Sequence, residues 1–413
     1  MSISGKIGII GAGPSGMTAA LQAAWAGAQV VLFDSNPQVG RKLLVTGSGR
    51  CNLTNQAAAA EKYTCADPNF MRALLARFGQ NELLAFLKKI GVLTFATPDG
   101  WYYPISESAQ TVVEAFSAAL EQAGVEIRLS TPISHFSARP NHFELHSPSF
   151  NEKSGQIFKR LILAAGGKAY PTLGSRGELF PSLEKCGHTL QTLYPALGPV
   201  LADNRLFQTL QGVRLDVEAT LWEGKTQLAQ TRGNLIVTQW GFNGPAVMDL
   251  SHQIANRPDA RLELSLNLIA FHESALLELI AQKRNSAVPL RVLLNAVLPP
   301  KVPILYLQMA GLPLDIPAQK VSDQALNNVL AQLRDTRFPI KGVRGFEYCQ
   351  LSSGGVPVTE ADPDSMQSLK IPGLYLAGET LDVVGPCGGY NLQYAFSSGA
   401  VAGLSAAASL NKE

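Results

Sequence analysis

Ile7-Gly8-Ile9-Ile10-Gly11-Ala12-Gly13-Pro14-Ser15-Gly16 is the stretch that decides the fold of this chain. A short apolar run enters a G-x-G-x-x-G loop. The Ala-rich segment Ser15–Ala26 then reads as a helix, and Gln29–Phe33 as a second strand ending at Asp34 and Ser35. Strand, glycine turn, helix and strand make a β-α-β unit, which implies a parallel sheet and a right-handed crossover. In such a unit Gly11 permits the tight turn, Gly13 lets the backbone approach a pyrophosphate, and Gly16 allows close packing of helix on strand. Pro14 and Ser15 open a helix whose first N–H groups and positive dipole end suit phosphate. Asp34 lies 18 residues beyond Gly16, close to the ~20 expected of a carboxylate that binds ribose hydroxyls. Its charge disfavours a 2′-phosphate. The element points to an adenine dinucleotide without separating FAD from NAD.

A second glycine-rich element near the other end makes that separation. Gly373-Leu374-Tyr375-Leu376-Ala377-Gly378-Glu379 runs into Gly388-Gly389-Tyr390-Asn391-Leu392-Gln393. A strand over Leu374–Ala377 delivers Gly378 and Glu379, and the later glycines open a helix through Tyr394–Ala402. A second helix N-terminus aimed at the ligand would stabilise negative charge on a reduced flavin at N1/O2. A nicotinamide domain has no need of this return segment. Tyr390, Asn391 and Leu392 are therefore expected near the flavin as binding groups.

Two further stretches suit backbone lying close to a ligand. Gly40-Arg41-Lys42 leads into Thr46-Gly47-Ser48-Gly49-Arg50-Cys51-Asn52-Leu53-Thr54-Asn55. So many small and polar residues read as a cradle or as a plain surface loop, and Arg41, Lys42 and Arg50 either offset phosphate charge or face solvent. Leu161–Gly167 is an apolar strand ending in the small residues Ala165 and Gly166.

These stretches carry a family resemblance. With Tyr170-Pro171-Thr172-Leu173-Gly174-Ser175 and Gly241-Phe242-Asn243-Gly244-Pro245-Ala246, they resemble the BaiN-like or aminoacetone-oxidase-family bacterial flavoproteins of the glutathione-reductase structural class. The resemblance spans nearly the whole chain. It implies a Rossmann-like FAD domain built from both termini, an inserted β-barrel-like and small helical region, and FAD held non-covalently. It adds Ile133 to the expected cofactor-binding residues. The chain departs from the family at Gly100-Trp101-Tyr102-Tyr103-Pro104, where Trp101 stands in place of an arginine, so any contact made by that arginine does not transfer.

Length and composition fit this reading. A chain of 413 residues predicts two or three domains, and 46% hydrophobic with 16% charged residues describes a well-buried protein. The net charge of +2, with no long basic run, favours neither nucleic acid nor an anionic membrane as partner. No apolar stretch reaches the roughly 18 residues of a membrane span, and the N-terminus does not read as a signal peptide, so a cytoplasmic location is expected. The five cysteines lack C-x-x-C or metal-ligand spacing, which argues against a disulfide framework or a structural metal.

The texture changes after about Tyr194. We divide the chain into residues 1–193 and 346–413 as the FAD-binding domain, and 194–345 as the insert, β-barrel-like over about 194–270 and helical over about 271–335. Within the insert, strands are expected at Val213–Trp222, Gln227–Arg232, Asn234–Thr238 and Arg261–Leu266, and strand-like residues return near Gly345–Leu351. Trp240–Pro245 reads as a pocket-lining loop or a tight turn of the barrel. The insert is expected to cover the flavin face and form the substrate pocket.

Cys51 and Cys387 sit in the expected cofactor loops, but without a partner cysteine they read as small packed residues. His188 reads as structural. No residue stands out as a catalytic acid or base, since a flavin carries hydride transfer itself. The leading expectation is an FAD-dependent oxidoreductase passing hydride through flavin N5 to or from a small or medium organic molecule. Only one complete dinucleotide fingerprint is present, so NADH or NADPH would bind transiently. The alternatives are an FAD-binding tRNA-modifying enzyme, a flavin-binding protein without turnover, and an NAD-dependent dehydrogenase lacking flavin.

Overall fold

Short runs of buried aliphatic residues make the sheet that organises the larger part of the chain. Its elements are β1 (Ile7–Ile10), α1 (Pro14–Trp25), β2 (Val30–Phe33), β3 (Glu126–Arg128), β4 (Arg160–Leu163), β5 (Leu374–Leu376) and α2 (Tyr390–Leu410). The strands lie in the order β5-β4-β1-β2-β3, all parallel. Every residue of β1 and β2 is buried, as strands covered on both faces require. The computed structural model describes residues 5–150 and 155–410. It separates into one unit that runs through Tyr194 and resumes at Gln350, and a second, Pro195–Cys349.

Four strand ends are brought level. Gly11 N–H donates to Phe33 O (2.8 Å), Ala164 N–H to Ile10 O (2.9 Å) and Ala377 N–H to Leu163 O (3.0 Å). The chain leaves β1, β2, β4 and β5 at one edge, outside the carboxyl ends of parallel strands, where ligands of open α/β sheets bind.

Helices α1 and α2 approach more closely than side chains would allow. A Cβ on Gly399 would stand 2.1 Å from Ser15 O, and one on Gly403 would stand 2.3 Å from Ala19 O. The two glycines are one helical turn apart, as are the residues they face. The Ala and Gly content of both helices is thus a requirement of backbone contact across them.

The second unit is a closed six-stranded antiparallel barrel with helices added. Around it run Val200–Ala202, Gly241–Asn243, Thr226–Val237, Arg214–Glu223, Leu262–Asn267 and Thr336–Val343. Phe207, Phe242, Phe338 and Tyr306 pack edge to face in its core. Helices include Glu273–Lys283, Lys301–Met309 and Asp323–Arg334. Among the described residues no helix is long and apolar enough to cross a membrane.

Some local expectations are corrected. Gln227–Arg232 and Asn234–Thr238 form one strand, Thr226–Val237, because Gly233 keeps its place in the ladder opposite Val217. Gln156–Leu163 is two strands: Gln156–Phe158 pairs antiparallel with His142–His146, and only Arg160–Leu163 joins the parallel sheet. Gly345–Leu351 is mostly a connection, flanked by strands at Thr336–Val343 and Leu351–Gly355. Trp240–Pro245 is a barrel element, with Phe242 fully buried and Pro245 opening a short helix.

His188 is a buried brace. Its Nδ1 meets Glu360 Oε2 at 2.7 Å and its Nε2 meets Ser368 Oγ at 2.8 Å. The line Ser368–His188–Glu360 has the order of a hydrolytic triad, but Ser368 Oγ also accepts N–H groups from Lys370 and Ile371 and is buried, so it cannot reach a substrate. Burial foremost lowers the His188 pKa, against the pull of Glu360. Burial alone would raise the Glu360 carboxyl, but hydrogen bonds from Lys370, Thr189 and His188 outweigh it and hold it at about 2.

Two predictions follow from this packing. Both His188 and Glu360 bind more protons unfolded than folded, so their contribution is complete above the ordinary histidine value of 6.5 and is lost as pH falls, the Glu360 part between 4.5 and about 2. Glu360→Gln should therefore lower Tm at neutral pH and flatten the acid side of the Tm–pH curve, as thermal melts from pH 7 to 3 would show. Gly399→Ala should destabilise the protein by about 1–3 kcal/mol, the usual range for an overpacked contact, measured by urea unfolding.

Candidate functional site

The first loop has the form that a diphosphate needs. Gly11 has φ +103°, and a Cβ there would lie 2.2 Å from Ala164 O, so only glycine fits where β1 and β4 diverge. A Cβ on Gly16 would lie 1.8 Å from Gly11 O, which fixes the start of α1 against the turn. Gly13 is different: a Cβ there meets nothing within 4 Å. The space beside Gly13 is open, its backbone is extended, and α1 begins at Pro14 with no side-chain cap and no acid in its first turn. Unpaired N–H groups and the helix dipole face that opening. The residues present fit a pyrophosphate.

Asp34 does more than the sequence suggests. Its Oδ2 accepts from Ala12 N at 2.6 Å, and its Oδ1 accepts from Asn36 N at 2.8 Å and Asn36 Nδ2 at 2.9 Å. It therefore shapes the glycine loop directly. An ionised carboxylate has about four acceptor positions, which leaves room for a ribose hydroxyl. Ser35 is exposed beside it. Ile133 is buried in the apolar core, in the connection that follows β3.

The loop after Lys42 joins the C-terminal element. Gly47, Ser48, Gly49 and Cys51 all have positive φ, from 55° to 85°, and for the non-glycine residues such backbone costs roughly 1–2 kcal/mol each. What holds this shape is a set of bonds to the far end of the chain. Asn55 Nδ2 donates to Gly388 O at 2.9 Å, Asn52 takes the Gly389 N–H at 3.3 Å, and Thr54 Oγ1 donates to Gln393 Oε1 at 2.5 Å. Gln393 Nε2 continues to Ser397 Oγ, and that hydroxyl donates to Phe78 O. A Cβ on Gly389 would lie 2.4 Å from Thr54 O. The two glycine-rich regions are one structure.

Gly378, at the end of β5, has φ +62°, and a Cβ there would lie 2.3 Å from Ser15 Oγ. The β5 end thus meets the start of α1. Its N–H donates to Ser398 Oγ at 2.9 Å. Ala165 and Gly166, after β4, are half-buried, and Gly166 with φ +79° leaves room for Ser175 Oγ. The structure thus brings the ends of β1, β2, β4 and β5 to one edge with the loop 47–55.

The cations and polar side chains are largely engaged by the protein. Lys42 pairs with Glu379, whose other oxygen accepts from Ser352 N at 3.0 Å. Arg50 lies over the Tyr103 ring (4.6 Å) and 3.7 Å from Glu107, while Arg41 donates to Asn36 Oδ1 at 2.8 Å. Arg41, Lys42 and Arg50 thus each keep a protein partner, and the Arg50 side chain is about half exposed (48%). The Asn391 amide closes the turn onto Gly385 and Pro386. Tyr390 packs its ring edge to face on Tyr63, and the Tyr390 carbonyl accepts the Tyr63 hydroxyl. Asn391 and Tyr390 thus hold the turn with their side chains and offer a ligand their backbone; Leu392 is half-buried after them. Cys51 is fully buried, and burial pushes its thiol up to about 12 against the Thr46 hydrogen bond. It is protonated and inert.

Asn36, Ser352, Thr54 and Gln393 were not singled out by sequence reasoning. Thr54 and Gln393 are 339 positions apart, and nothing in spacing or residue type announces such a pair.

The comparisons with known proteins agree with this geometry. Residues 5–405 match the family model described as the HI0933-like protein Rossmann domain. The chain is 33% identical to a 3-dehydro-bile acid delta(4,6)-reductase of Clostridium scindens, over 97% of this chain and 99% of that one. It is 30% identical to a ribosomal RNA dihydrouridine synthase of Escherichia coli, over 94% of this chain and 95% of that one. Among solved structures, a 3-ketosteroid-delta4-(5alpha)-dehydrogenase from Rhodococcus jostii RHA1 aligns over 97% of this chain and 96% of its own, at 15% identity and a TM-score of 0.48. The chain belongs to the HI0933-like Rossmann family.

Proposed function

We propose that this protein reduces a carbon–carbon double bond conjugated to a carbonyl in a flat ring. The observation that carries this reading is the pair of relatives that match almost end to end. One is named for reducing delta(4,6) bonds of a 3-dehydro-bile acid, the other for making dihydrouridine. A 3-oxo group conjugated with a ring double bond and the 5,6-bond of uracil beside its 4-carbonyl are the same functional group. Both names describe reductions, which is why reduction is preferred here to oxidation of an amino-ketone.

FAD, once reduced, supplies a hydride at N5. The chain's own residues bind and orient it. The opening at Gly13 and the uncapped start of α1 would hold the pyrophosphate, Asp34 a ribose hydroxyl, and the backbone N–H groups at the start of α2 the pyrimidine edge of the ring. Lys42 and Glu379 neutralise each other at the strand ends. Cys51, fully buried with its thiol pushed up to about 12, is not placed to act as a nucleophile. NADH or NADPH, binding transiently, is the proposed electron source, and the cytoplasm the proposed compartment.

The proposed substrate is a small molecule. The E. coli relative favours a second reading, a uridine within RNA, although a net charge of +2 offers little general attraction for phosphate. Anaerobic assays of the FAD-loaded protein with NADPH or NADH separate them. A cyclic 4-en-3-one consumed with equimolar nicotinamide oxidation supports the first, and dihydrouridine formed in ribosomal RNA supports the second. Oxidation of the nicotinamide with neither product contradicts the proposal. Gly13→Val should reduce FAD retention about tenfold or more while the fold persists, because its Cβ enters open space where the backbone is expected to approach the pyrophosphate. FAD content after desalting, read beside a circular dichroism spectrum, checks this.

A further inference from the structure

We propose that the Trp101 indole N–H donates a hydrogen bond to the substrate carbonyl, with the indole ring packed along the flat ring that bears it. This rests on the site holding FAD and reducing a conjugated double bond, as proposed above, and adds the group that recognises the carbonyl.

Trp101 is rigidly placed. It pairs with Asn55 in the small sheet formed by Thr54–Asn55, Trp101–Pro104 and Thr94–Ala96. Its N–H donates to Thr97 Oγ1 (3.1 Å), and its carbonyl accepts from Thr97 N (2.8 Å). Its neighbour Asn55 holds the Gly388 carbonyl. The indole lies against the turn that opens α2: a Cβ on Gly388 would stand 3.1 Å from both Nε1 and Cε2. Gly388 has φ +113°, so the absence of a side chain there suits both the turn and the ring above it.

The indole N–H is free. Among the described residues it donates to no protein group, and it is not sealed from solvent. Open to solvent, it can exchange water for a carbonyl oxygen without losing a protein hydrogen bond. Here the unused donor stands beside the backbone expected to meet the flavin.

The reaction calls for such a donor. Hydride addition at the carbon β to the carbonyl breaks the π bond and pushes its electron pair onto the carbonyl oxygen. A proton from water then adds at the α carbon, so the double bond is replaced by two C–H bonds and two electrons have come from the reduced flavin. The oxygen carries charge between these events. Lys42 is held by Glu379, and the Trp101 N–H beside Gly388 is the neutral donor assigned to meet it. Removing one donor of this kind typically lowers kcat by ~10²-fold or more.

The test compares FAD-loaded wild type with Trp101→Phe and Trp101→Arg. The probes are 4-androstene-3,17-dione and uridine, which separate a steroid from a nucleobase as source of the same group. Bound FAD per chain, probe affinity from perturbation of the flavin absorption band, and kcat with NADPH or NADH are measured. Trp101→Phe should keep its FAD, bind the productive probe up to about tenfold more weakly, and lose roughly 10²-fold in kcat. Trp101→Arg, which returns a donor without the indole, should recover part of kcat and little affinity. If Trp101→Phe reduces the probe within twofold of wild type, the role of Trp101 is overturned while the conjugated-bond reading stands. If wild type with full FAD reduces neither probe and forms no dihydrouridine in ribosomal RNA, both fall.

Discussion

Backbone-to-backbone contact between α1 and α2 is the constraint on which the rest depends. Gly399 and Gly403 leave no side chain between α2 and the Ser15 and Ala19 carbonyls of α1. With the helices that close, the start of α1 and the β5 end at Gly378 come together, since Ser15 Oγ and Gly378 leave no room for a Cβ between them. Two glycine elements, one at each end of the chain, become neighbours because their helices have almost no side chains to separate them.

The loop from Gly47 to Asn55 is fixed by the same arrangement. Its left-handed residues Ser48 and Cys51 are unfavourable alone, and the bonds of Asn52, Thr54 and Asn55 to Gly388, Gly389 and Gln393 offset that cost. The loop that looked like a cradle is therefore half of one, and α2 completes it. This explains why so many of its polar side chains face protein: they build the surface, and the backbone is left to meet the ligand.

The fold class was legible because glycine and aliphatic periodicity are local signals. The strand before Gly11, the helix after it and Asp34 at the end of β2 all lie within one short stretch, whereas the insert read only as short strands and its barrel came from the family resemblance. Boundaries were lost where one residue type serves two purposes. Gly233 looked like a break but pairs with Val217 inside one strand, and Gln156–Leu163 looked continuous although Lys159 divides two sheets. Side-chain partners were not legible at all. Lys42 with Glu379, and Thr54 with Gln393, are joined by tertiary packing across more than three hundred residues. The unused indole N–H of Trp101 is likewise visible only once its surroundings are.

The central claim is that the two ends of the chain close one FAD site. It is tested most directly by the visible absorption spectrum of the purified protein, with the released cofactor identified after heat denaturation. The account predicts flavin bands and about one FAD per chain, either as purified or after reconstitution. A colourless protein that fails to take up added FAD would contradict it.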